Sequence, residues 1–126
     1  MFKNFNDLFC YYVDYIDAAF AYDQNEPFFV LWFDNCVIEG KFDLDFMHKI
    51  LSSQLFGLPK AALIFVRATH FASDFAQDSY LLVARSNAGE VRVVEWKEKG
   101  KGIERLKVPK TTIKKTILDG LVPIVS

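Results

Sequence analysis

The chain has 126 residues, 52% apolar and 25% charged, with a formal net charge of −1. That is one domain's length, 1–126, with enough apolar surface for a core that needs no metal or disulfide staple. Near-neutral charge argues against a general nucleic-acid binder, and no apolar run approaches the roughly 20 residues that span a bilayer.

The period from Asn4 to Tyr22 predicts a helix. Asn4 or Asn6 can cap it, and Asp7 adds favourable charge to its first turn. Phe5, Leu8, Phe9, Tyr12, Val13, Ile16, Ala19 and Phe20 form one apolar face. Tyr11, Tyr15, Ala18 and Tyr22 repeat the same spacing on a second stripe, with Asp14 and Asp17 among the rings. The helix is therefore apolar around more of its circumference than an ordinary surface helix, so either it is covered on two sides within the domain or it presents tyrosines to a partner.

Phe28 to Phe33 is a continuous apolar run, the pattern of a strand covered on both faces. Asp34-Asn35 signals a tight turn, and Cys36 to Phe42 is the return strand, weakened by Gly40. Asp43 caps a second helix that runs to about Leu55. Leu44, Met47, Leu51 and Leu55 supply its inner face, and Gly57 and Pro59 end it. Ala62 to Ala68 is another buried strand, and 69–77 is the longest irregular stretch, carrying Phe71 and Phe75.

Asp78 to Lys97 holds the clearest local signal, two alternating apolar runs around Asn87-Ala88-Gly89. Gly89 stands where a type I turn followed by a bulge needs the left-handed conformation. That loop pairs Ser86 with Glu90 and sets Leu81 opposite Glu95. Lys99 to Gly102 turns the chain into a further strand, Ile103 to Val108. Thr111 to Asp119 reads as a short helix ended by Gly120, and Leu121 to Val125 as a final edge strand. The expected fold is α+β: a mainly antiparallel sheet of about five to six strands in two hairpin or meander units, with two longer helices and one short C-terminal helix.

Chemistry-bearing patterns are sparse. The acid opening the hairpin and the Glu-x-Lys closing it, Asp78, Glu95 and Lys97, resemble the PD-(D/E)xK nuclease pattern. The resemblance implies catalysis by these three residues with Mg²⁺ or Mn²⁺ held by the two acids. The chain departs from the pattern in having Gln77 where the proline belongs. The three-residue loop also sets Asp78 opposite Glu98, on the other side of the sheet from Glu95. On this register, Glu95 and Lys97 are an ordinary charged pair on a half-exposed strand. His48 and His70 have no ligand cluster around them, and neither CxxC nor a Gly-rich phosphate loop occurs. The expectation is therefore no catalytic residue, no metal and no cofactor.

Charge is unevenly divided. Residues 1–80 carry 11 acids against 5 bases, and residues 81–126 carry 5 against 10. The basic strip, Lys99, Lys101, Arg105, Lys107, Lys110 and Lys114, is an alternative nucleic-acid surface that would neutralise phosphates without reading bases. The bland alternative is that these lysines protect strand edges. The acidic, aromatic first half suits a partner interface, with Tyr11, Asp14, Tyr15, Asp17 and Tyr22 as its residues. The expected function is a small non-catalytic interaction module, of accessory, immunity or inhibitor type. Its expected partner is another protein, with a nucleic-acid-binding enzyme as one version and a second copy of the chain as another. Cys10 and Cys36 read as reduced and buried, so an intracellular, cytoplasmic protein without a membrane partner is expected.

Overall fold

The computed structural model describes residues 2–22, 26–67, 79–99, 102–107, 118 and 121–123, with the backbone path alone at 98–99 and 102–107. The chain is α+β. Helix α1 spans Phe5–Ala21, strands β1 and β2 span Phe28–Trp32 and Val37–Lys41, and helix α2 spans Leu44–Ser52. Strands β3 to β6 follow at Ala61–Arg67, Ser79–Ser86, Val91–Lys99 and Gly102–Lys107. They form one sheet in the order β2-β1-β3-β4-β5-β6, and every neighbouring pair is antiparallel.

Both helices start on a side-chain cap. The Asn4 Oδ1 accepts the Asp7 N–H at 2.8 Å, and the Asp43 Oδ1 accepts the Phe46 N–H at 3.1 Å. Helix α2 stops at Ser52, three residues before Leu55. There the Ser53 hydroxyl donates to the Ile50 carbonyl at 2.6 Å and accepts the Leu55 N–H. Gln54 and Gly57 then take left-handed backbone angles, at φ 57° and 79°. Leu55 is accordingly thrown outward, 80% exposed, and does not join the inner face of the helix.

The sheet separates two cores, which explains the unbroken apolar runs of β1, β3 and β4. On one side α1 lays Leu8, Tyr12 and Ile16 over Val30, Trp32, Leu63, Phe65, Leu82, Val94 and Trp96. On the other, Met47 of α2 and Leu118, Leu121 and Val122 cover Phe29, Leu31, Ile64, Val66, Leu81, Val83 and Val93. Much of the aromatic excess goes into a row across the first core. Phe28, Phe65, Tyr80 and Trp96 lie on successive strands, with the Phe20 ring against the last three.

The hairpin between β4 and β5 takes the three-residue loop. The Ser86 N–H donates to the Glu90 carbonyl at 2.9 Å, the Gly89 N–H donates to the Ser86 carbonyl, and Gly89 sits at φ 83°. Leu81 therefore faces Glu95, and Ser79 faces Lys97. Near the C-terminus, Leu121 is in a turn and Val122 in a bend, where a strand from Leu121 was expected. The Leu121 and Val122 N–H groups bond back to the Leu118 carbonyl, so neither is free for a sheet ladder. The short helix expected over 111–119 and the irregular stretch 69–77 lie outside the described residues, apart from Leu118.

Candidate functional site

Helix α1 rests on the sheet by two different flanks. The first leans over β1 and β2. Its Tyr12 ring is buried, and the Tyr12 hydroxyl donates to Glu39 Oε2 on β2 at 2.9 Å. Burial first, and then the bond to Glu39, push the Tyr12 hydroxyl above its ordinary range, so it stays a protonated donor. Tyr11 and Tyr15 brace against this fixed ring, at centroid distances of 5.0 and 6.1 Å, both edge-to-face. Tyr15 also meets Phe28 of β1 at 5.7 Å and 85°. The inner edges of the tyrosine stripe are thus anchored while its outer faces stay in water. Tyr11 is 54% exposed, Tyr15 52% and Tyr22 78%. Asp14 is exposed on the same helix.

The second flank is turned to β5. There Asp17 Oδ1 accepts the Trp96 indole N–H at 2.7 Å, and Arg92 donates to Asn6 Oδ1. Trp96 is almost fully buried, so Asp17 gives its N–H the acceptor it needs. The structure thus brings Tyr11 and Tyr15 together. It ties Asp17 to the sheet on the other flank of the helix.

Beside the tyrosine flank a cleft of about 690 Å³ opens between α1 and the β1–β2 corner. Tyr15 and Ile16 line its helix side, and Phe28 and Phe65 line its sheet side. Glu26, Glu39 and Lys41 bring charge to it. Sequence reasoning missed this site. The available signal was in β2, where Val37, Glu39 and Lys41 alternate on one face and turn from apolar to charged toward the end of the strand.

The hairpin residues sit elsewhere. Glu95 is the one buried carboxylate among the described residues, on the α2 side of the sheet, and it accepts the Ser79 hydroxyl at 2.6 Å. Lys97, opposite Ser79, is half-buried. Asp78 lies outside the described residues, as does His70, while His48 is exposed on α2. Among the described residues no three His, Cys, Asp or Glu side chains are grouped to hold a metal ion. Of the basic strip, Lys101, Lys110 and Lys114 lie outside the described residues, and Lys99, Arg105 and Lys107 are placed only as backbone of β5 and β6.

Both cysteines are free thiols, but neither is buried as expected. Cys10 is exposed and Cys36 half-buried, since Cys10 falls outside the buried positions of α1 and Cys36 lies in the β1–β2 turn. Four further apolar side chains, Phe46, Leu55, Phe56 and Leu58, are exposed on α2 and the segment after it. No helix among the described residues is long and apolar enough to cross a membrane.

No family model matches this chain, and no curated protein or solved structure matches it significantly.

Proposed function

We propose that the chain is a small non-catalytic interaction module that binds another protein through the tyrosine face of α1. One observation carries this reading: Tyr11 and Tyr15 are half-exposed, yet held in place from beneath by Tyr12 and Phe28. Rings that are already ordered lose little freedom on binding, and tyrosine supplies large contact area with a polar tip. Asp14 adds negative charge that favours a basic partner. Accessory, inhibitor and immunity proteins work by this kind of contact.

The test is the double variant Tyr11→Ala/Tyr15→Ala. Recovery of the partner from source cells should fall by about tenfold or more, the loss of at least ~1.4 kcal/mol. Its melting temperature should stay within a few degrees of the parent, since both rings are half in water. An unchanged complex contradicts the assignment.

The buried Glu95 beside Lys97 favours a second reading, metal-dependent cleavage of nucleic acid. Under it, Mg²⁺ or Mn²⁺ would support cleavage that Glu95→Ala abolishes. Under the first reading, no metal-dependent cleavage is detected with either protein.

A further inference from the structure

We infer that the cleft between α1 and the β1–β2 corner takes an arginine side chain of the partner protein, an inference that rests on the tyrosine face being the partner's contact surface. Three features of the cleft point to this occupant.

The first is its chemistry. Two carboxylates, Glu26 and Glu39, outnumber the single ammonium of Lys41, and the rings of Tyr15 and Phe28 stand beside them. Ring faces attract cations, and carboxylates accept the paired N–H groups of a guanidinium. Arginine suits this combination better than lysine, because its planar group is weakly hydrated, stacks on rings and forks onto oxygen.

The second is preparation. The Tyr12 hydroxyl engages Glu39 Oε2 and fixes the carboxylate, which leaves the other oxygen to accept. Among the described residues no ion pair engages Glu39 or Glu26, and Lys41, two residues along the same strand, does not neutralise either. An arriving cation therefore displaces no salt bridge among the described residues, and the acceptor is already positioned.

The third is continuity. Tyr15 belongs both to the exposed stripe and to the lining of the cleft. A partner seated on the tyrosine face reaches the cleft without crossing any other surface. The volume, about 690 Å³, accommodates one long side chain with the peptide on either side of it.

The experiment titrates the full chain with acetyl-Gly-Arg-Gly-amide, followed by the amide NMR signals of Tyr15, Glu39 and Lys41. The controls are the same peptide with citrulline, a neutral shape analogue, and with lysine. The arginine peptide should shift these three signals saturably and bind about tenfold tighter than the citrulline peptide. Glu39→Gln, which keeps an acceptor for Tyr12, should weaken it by about fivefold. Equal binding of arginine and citrulline peptides, signals that do not move, or an indifferent Glu39→Gln variant each overturn the inference. Lysine binding as tight as arginine overturns the choice of guanidinium. If Tyr11→Ala/Tyr15→Ala loses the partner while the arginine peptide shifts nothing, the cleft inference fails alone. If the peptide titrates while that double variant keeps its partner, the interface reading fails, and the cleft retains its affinity for arginine but not the partner as its source.

Discussion

The Tyr12 hydroxyl meets the Glu39 carboxylate at 2.9 Å, and this bond ties the middle of α1 to the edge strand of the sheet. Tyr12→Phe removes the bond while keeping the ring and its contacts with Tyr11, Tyr15 and Phe28. Glu39 is exposed, so water re-solvates it, and the expected loss is about 1 kcal/mol in urea unfolding.

Burial of the Tyr12 hydroxyl, and then the same bond, predict a pH dependence. The folded protein holds the Tyr12 proton to higher pH than the unfolded chain, whose tyrosines ionise near the ordinary value of 10.0. Its contribution to stability is complete below pH 10 and is lost as pH rises above it, because only the unfolded state gains by releasing the proton. The stability gap between wild type and Tyr12→Phe should therefore hold up to about pH 10 and shrink as pH rises beyond it, by at most about 1.4 kcal/mol per pH unit. A gap that widens contradicts this.

Asp17 and Trp96 form the corresponding tie on the other flank, at 2.7 Å. Asp17→Ala leaves the buried indole N–H without this acceptor and should cost about 1–3 kcal/mol. Asp17→Asn retains an oxygen at the same place and should cost less than half of that. Partner binding should survive both, since Asp17 faces away from the tyrosine stripe. Urea denaturation and partner recovery, measured on both variants, check this.

Asp14 and Asp17 look alike in the sequence, and the reason they diverge marks the limit of what could be read there. Helical periodicity gives the angle of each residue around the axis, not the neighbour beneath it. It separated the tyrosine stripe from the apolar face. It had no means of knowing that Trp96, 79 residues away, would present an N–H to Asp17. Leu55 was misplaced for a different reason, because Ser53 competes locally for backbone bonds and ends α2 early. Local rules sufficed where local chemistry decides. The apolar runs of β1 and β3 foretold two-sided burial, and Gly89 foretold the loop that sets Leu81 opposite Glu95. Beyond the apolar-to-charged face of β2, the cleft was illegible because its residues come from α1, the segment just before β1, β1, β2 and β3, which only the tertiary fold assembles.

Ser79→Ala probes the buried end of the hairpin. Without the 2.6 Å bond, the Glu95 carboxylate is buried short of a donor. The expected loss is about 1–3 kcal/mol, recovered in part by Glu95→Gln in the same background, which removes the buried charge. Thermal unfolding of the single and double variants measures this.

The most direct test of the interface is site-specific photo-crosslinking in the source cells. A photoreactive phenylalanine analogue replaces Tyr15, Tyr22 or, as a control on the opposite helix, Asp45, which is exposed on α2. The tyrosine positions should each give the same discrete protein adduct, and Asp45 should give none. Adducts that form at Asp45 but not at Tyr15 or Tyr22 would contradict the assignment of α1 as the binding face.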